Sequence, residues 1–200
     1  MSKTKKKSRR TIIEYGVIAA VALALYLTGW HTEVIGFVQR GLLATGIMNP
    51  RVEQPLTGEA TDIPQPANLN FKLISSTGET LDAETLRGRV IFFNVWATWC
   101  PPCVAEMPTI QKLYRKMEDE NIAFIMLAVD EDFQKSIRYR DRKGYDFEIY
   151  RLASSLPSMY HSSSIPTTFV IGADGNLAMT HKGMADYGTK KFESFLRNLQ

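Results

Sequence analysis

A near-continuous apolar run, Arg89-Val-Ile-Phe-Phe-Asn-Val-Trp96, leads through Ala97-Thr98-Trp99 to Cys100-Pro-Pro-Cys103 and then to helical periodicity from Pro102 to Met117. A strand that is apolar on both faces has to be covered on both faces, which demands a layered sheet. The two thiols that follow it are the only cysteines in 200 residues, so no framework of structural disulfides can form. Placed at i and i+3 at a helix start, they can meet within one turn and close a disulfide without moving the backbone far. The cysteine usage therefore points at chemistry.

The flanking segments alternate in period. Asn70-Phe-Lys-Leu-Ile-Ser75 alternates as a strand, and Thr77-Gly78 turns into a short second strand, an N-terminal β-hairpin. Asn121 to Val129 is another buried strand, and Phe133 to Lys143 reads as a helix. Thr167 to Ile171, the Ala173-Asp-Gly-Asn176 turn and Leu177 to Thr180 form a hairpin, and Lys190 to Leu199 closes with a helix. Strands alternating with helices predict an α/β sheet covered on both faces, with a hairpin at one edge. No internal repeat is present. With 44% hydrophobic and 22% charged residues, the composition excludes a disordered or collagen-like chain.

The charge is uneven. Lys3, Lys5, Lys6, Lys7, Arg9 and Arg10 face Glu14 alone, so residues 1–30 carry +5 of the net +3 and the remainder sums to −2. The basic character belongs to a tail, and the body gives no case for nucleic-acid binding. From Tyr15 to Trp30 no charge occurs, and with Ile12 and Ile13 counted and Glu14 snorkelling towards the headgroups the stretch approaches the ~20 residues that span a bilayer. The excess of basic residues before it predicts a cytoplasmic tail over 1–11, a transmembrane anchor in lipid over 12–30, and an exported body in a single-pass cell-membrane protein. A cleaved signal peptide is the rival, with Ala19 to Ala24 offering small residues. Residues 31–65 read as an amphipathic juxtamembrane segment (33–48, with a second span as its rival) and a Pro-containing linker. The domain then covers 66–200.

Cys100, at an exposed helix N-terminus, faces the positive end of the helix dipole, which favours the nucleophilic thiolate. Cys103, one turn inside, is placed to attack the resulting mixed disulfide. A zinc site needs about four ligands, and three histidines with two cysteines give no second pair at ligand spacing; covalent haem attachment needs His where Val104 stands. No metal ligand set is predicted. Pro101 and Pro102 have no N–H, so Cys100 lacks donors that would stabilise its thiolate, which predicts a reductant.

Asn94-Val-Trp-Ala-Thr-Trp-Cys-Pro-Pro-Cys-Val-Ala-Glu-Met-Pro108, together with Ile165-Pro-Thr-Thr-Phe-Val-Ile171 and Asp174-Gly175, resembles the TlpA/ResA-like branch of the thioredoxin superfamily. The resemblance covers residues 66–200. It implies a thioredoxin-like central sheet flanked by helices, behind a single N-terminal transmembrane helix. It also implies a redox-active Cys100–Cys103 disulfide and extracytoplasmic thiol–disulfide exchange without a cofactor. Pro166 is then cis, and Ile165 exposes backbone for a substrate segment. Glu106, on the helical face of Cys103, accepts or relays the Cys103 proton. Asn94 stands where cytosolic thioredoxins keep a buried acid, and Pro108 breaks the helix ladder, freeing the Val104 carbonyl. Trp99 joins Pro101 and Pro102 on the partner-facing surface, Trp96 belongs to the core, His161 and His181 are solvated or structural, and His31 lies at the membrane surface. Tyr160-His-Ser-Ser-Ser164 departs from the family pattern. The implied partners are exported disulfide- or thiol-containing proteins, such as apocytochrome c or copper-site assembly proteins, and a membrane thiol electron donor. A disulfide oxidase or isomerase on the same fold and a copper metallochaperone are the alternatives.

Overall fold

The apolar run of the sequence forms a strand, Val90–Trp96, buried along its whole length. It belongs to a computed structural model that describes residues 13–21, 23, 36, 39, 41 and 65–200. Among these the strands are β1 (Lys72–Ser75), β2 (Thr80–Asp82), β3 (Val90–Trp96), β4 (Ile122–Ala128), β5 (Ile149–Leu152), β6 (Thr167–Ile171) and β7 (Leu177–Lys182). Their order across the sheet is β2-β1-β5-β4-β3-β6-β7. β3 runs parallel to β4 and antiparallel to β6, with Asn94 opposite Met126 on one side and Thr168 on the other. Both hairpins of the sequence reading form, β1 with β2 and β6 with β7.

The helices start and stop where local chemistry directs. Helix α1 (Pro101–Met117) opens with Pro at its first two positions, where a missing N–H costs nothing, and Cys100 is its N-cap. Pro108 lies inside it and has no N–H for the Val104 carbonyl. Helix α2 (Phe133–Lys143) is capped by Asp132, whose carboxylate accepts from Gln134 N–H, and ends at Gly144 with φ 64°, a left-handed turn suited to glycine. Helix α3 (Lys190–Arg197) is capped by Thr189.

Two apolar layers lie against the sheet. One joins Phe92, Trp96, Phe124, Met126 and Val170 of the strands to Met107, Ile110 and Leu113 of α1, Tyr139 of α2 and Phe192 and Leu196 of α3. The other, around Phe93, Ile125 and Phe169, receives no residue of the three helices. It is closed by Leu69 and Phe71, by Ala83 and Leu86 of a 3-10 turn, and by Tyr160. The sheet is thus covered on both faces, by helices on one and by extended chain and 3-10 turns on the other.

Strand β5 was absent from the sequence reading. It has four residues, Ile-Tyr-Arg-Leu, of which only Ile149 is fully buried, too short and too polar for a periodic signal. No helix among the described residues is long and apolar enough to cross a membrane. The span expected over 12–30 lies partly outside the described residues; within it, residues 13–21 and 23 are helical. The tail over 1–11, nearly all of the segment expected over 31–65, and His31 also lie outside them.

Candidate active site

The end of β3 delivers the chain to the site through three residues. The Thr98 hydroxyl and N–H donate to Asp130 at 2.6 and 3.0 Å, and Ser136 Oγ donates to the same carboxylate at 2.7 Å. The turn is thereby tied to the far end of β4 and to α2. Trp99, which follows, is 59% exposed. Cys100 and Cys103 form a disulfide with their Cα atoms 5.3 Å apart. The Cys103 N–H donates to Cys100 Sγ at 3.2 Å, the donation expected at an N-cap.

Cys100 is not the exposed residue the sequence suggested. Only 4% of it is accessible. The Ile165–Pro166 peptide is cis, and the Ile165 carbonyl oxygen lies 3.7 Å from Cys100 Sγ. Ile165 also packs against the apolar cluster that contains both cysteines. Pro101, Pro102 and Ile165 are half-buried around the sulfur, and Pro166 is buried. Trp99 and the three half-buried residues are the accessible surface around the sulfur.

Glu106 is fully buried. Asn94 Nδ2 donates to its Oε1 at 2.9 Å, and the Ala185 N–H donates to Oε2 at 3.1 Å. Removal from water pushes its pKa up to about 8, against the lowering effect of those two donors. Glu106 sits one turn beyond the buried Cys103 on the same helical face. Trp96 is core, its ring tilted 49° to that of Tyr139 with the centroids 5.8 Å apart. His161 is exposed, with Nε2 2.9 Å from the Leu156 carbonyl oxygen. The departing segment Tyr160 to Ser164 is half structural: Tyr160 fills the second layer, and Ser162 Oγ lies 2.8 Å from Thr167 Oγ1.

Sequence reasoning missed Thr168, Tyr187, Asp130 and Thr98. One signal was present: Thr168, like Asn94, is a polar residue inside an apolar strand, and such a residue needs a partner once buried. Asp130 gave none, because its role depends on a chain crossing 32 residues away.

A helix-start dithiol on this sheet, backed by a cis X–Pro carbonyl, can trade its disulfide for another protein's, and that chemistry defines a thiol–disulfide oxidoreductase of thioredoxin-like fold. The chain belongs to the Redoxin family, whose profile matches residues 63–196, and within it to the TlpA/ResA-like branch of the thioredoxin superfamily. The chain is 30% identical over 131 residues to the thiol-disulfide oxidoreductase ResA of Halalkalibacterium halodurans, covering 64% of this chain and 74% of that protein. It is 24% identical over 189 residues to ResA of Bacillus subtilis, covering 91% and 93%. A thioredoxin-family thiol:disulfide interchange protein of Chlorobium tepidum has a similar crystal structure, with a TM-score of 0.59, 25% identity, and coverage of 70% of this chain and 99% of that one.

Proposed function

We propose that this oxidoreductase is a disulfide reductase working outside the cytoplasmic membrane, held there by residues 12–30. The observation that carries the direction of transfer is the sparse donor set at Cys100 Sγ. At the helix start the Cys103 N–H donates to it, while Pro101 and Pro102 have no N–H to give. A thiolate with few donors is little stabilised, and a little-stabilised reduced form makes the pair reducing.

In the reduced protein the Cys100 thiolate attacks one sulfur of a client disulfide, forming a mixed disulfide and expelling the other client sulfur as thiolate. Glu106 takes the Cys103 proton, and the Cys103 thiolate attacks Cys100 Sγ. The Cys100–Cys103 bond closes, the client's second sulfur leaves as thiolate, and two electrons have passed to the client. The Glu106 proton goes to solvent or to the departing thiolate. Trp99, Pro101, Pro102, Ile165 and Pro166 form the surface that receives the client, and a membrane thiol donor re-reduces the pair. Exported proteins with cysteines, including apocytochrome c and copper-site assembly proteins, are the client class.

The anchor is supported by six basic residues ahead of an uncharged stretch and by side chains within it, Tyr15, Val17, Ile18 and Leu23, that are more than half exposed. Apolar surface of that extent requires a cover, and lipid fits it.

The test equilibrates the full-length protein, in mild detergent, against graded dithiol buffers while following tryptophan fluorescence. A potential of about −250 mV or lower supports the reductase, and a value near about −120 mV overturns it in favour of an oxidase. Labelling intact cells with a membrane-impermeant maleimide after reduction tests the location, since Cys100 and Cys103 are the chain's only thiols. Because both thiols are buried, the comparison is with permeabilised cells: protection in intact cells that is lost on permeabilisation would place the domain inside.

A further inference from the structure

Asn94 carries the one side-chain amide in β3, and it is buried completely. Its Nδ2 donates twice, to Glu106 Oε1 and to Thr168 Oγ1, each at 2.9 Å. Thr168 Oγ1 also accepts the Tyr187 hydroxyl at 2.7 Å. The chain Tyr187–Thr168–Asn94 therefore ends on the Glu106 carboxyl, and Asn94 Oδ1 is buried with no hydrogen-bond partner.

Both contacts on that carboxyl come from N–H groups, which suits the carboxylate. An acid with its proton on Oε1 would meet a donor with a donor. Turning the Asn94 amide by about 180° exchanges two groups of nearly equal size, Oδ1 and Nδ2. Oδ1 then comes within hydrogen-bond reach of both Glu106 Oε1 and Thr168 Oγ1. Two oxygens at that separation are held together by a proton between them: the acid O–H donates to Oδ1, and Thr168 donates its own hydroxyl to Oδ1 while still accepting from Tyr187. The unpaired atom becomes Nδ2 in place of Oδ1. Neither sense pairs every atom, so the network has no complete arrangement to settle into, and the proton on Glu106 decides between the two.

We propose that Asn94 is a positioning residue whose side-chain amide turns over as Glu106 gains or loses its proton, with Thr168 switching between acceptor and donor, so that the carboxyl is held in place in both states. This rests on the reading of Glu106 as the group that carries the Cys103 proton. The titratable groups on the surrounding elements are Tyr187 after β7 and His181, which lies opposite Thr168 in the register of β7, while Cys103 on α1 is held in the disulfide and does not titrate in the oxidised protein. β3 and β6 bring none of their own. Burial and the nearby Glu106 hold the Tyr187 phenol well above its usual pKa, so its hydrogen stays available throughout.

The experiment uses the full-length, oxidised protein, labelled with ¹³C and ¹⁵N, in mild detergent. The Glu106 carboxyl carbon shift and the nuclear Overhauser contacts of the Asn94 Nδ2 protons are followed across the Glu106 titration. The proposal expects one shared midpoint, with Asn94 Nδ2 contacts to the Thr168 side chain present above it and lost below it. Contacts that persist unchanged through a clear Glu106 titration overturn the turnover while leaving Glu106 as proton carrier. A Glu106 carbon that does not titrate removes both. In Asn94→Leu the carboxylate loses its stronger bond, so the midpoint of the pH–rate profile rises, and the rate at pH 7 falls about tenfold per unit of rise. If that variant does not fold, the wild-type spectra still decide.

Discussion

Thr98 and Asp130 are joined through both a hydroxyl and a backbone N–H, at 2.6 and 3.0 Å, two residues before the redox pair begins. The carboxylate also takes the Ser136 hydroxyl at 2.7 Å, so one side chain gathers the β3–α1 turn, the end of β4 and the first turn of α2. Asp130→Ala leaves these donors without their acceptor. The expected loss is about 1–3 kcal/mol of stability, read from urea unfolding, with a slower exchange rate toward a model disulfide. Unchanged stability and rate would show that the turn holds its shape without Asp130.

Glu106 sets a pH dependence of known sign. Its folded pKa of about 8 lies above the ordinary carboxyl value because burial disfavours the charge. Between the two values the native state binds a proton that the unfolded chain has released, so stability is greatest below the unfolded pKa and declines as pH rises through the folded one. The slope approaches on the order of 1 kcal/mol per pH unit. Glu106→Gln removes this contribution, and urea midpoints of the variant should decline less from pH 5 to pH 8. Parallel curves would contradict it.

The same substitution separates stability from chemistry. Glu106→Gln keeps the size of the side chain and cannot accept a proton, so release of a mixed disulfide should slow by about 10²–10⁴-fold at neutral pH, measured by stopped flow. A pH–rate profile identical to the wild type would take Glu106 out of the reaction.

Pro102 occupies the second helical position, from which a backbone N–H commonly reaches the N-cap side chain. Pro102→His restores that donor to Cys100 Sγ. One hydrogen bond to a thiolate corresponds to a rise in potential of roughly 30–60 mV, measured against glutathione buffers. No rise would mean that the missing donors do not set the potential.

Phe92 packs its ring against Phe124, Tyr187 and Phe192, with centroids 5.3, 5.1 and 6.1 Å away. Phe92→Ala should cost about 3–5 kcal/mol in urea unfolding. Breaking the exposed Arg87–Glu84 pair should cost far less, because solvent screens it, and a reversal of that order would contradict the packing.

What the chain discloses on inspection is what depends on neighbours in sequence. β3, β4, α1 and both hairpins follow from period and turn residues, and the Cys100–Cys103 spacing carries its own geometry. Asn94 was visible as a polar interruption, yet its partners Glu106 and Thr168, and Tyr187 behind Thr168, come from three other segments, and only folding brings them together. The accessibility of Cys100 misled for the same reason: Ile165 lies 65 residues away, and no local rule seats its carbonyl beside the sulfur. β5 stayed hidden because its pairing with β1 and β4 supplies what its four residues lack in pattern.

The redox helix leaves the sheet from β3, a strand paired on both sides and buried at every residue. Edge strands such as β2 and β7 fray first, and interior strands exchange their amide hydrogens last. A cysteine pair mounted on such a strand keeps its alignment through the partial openings that the rim of the sheet undergoes. Wear at the periphery and turnover at the sulfur are separated in space, and a client that deforms the rim on docking still meets an undisturbed pair.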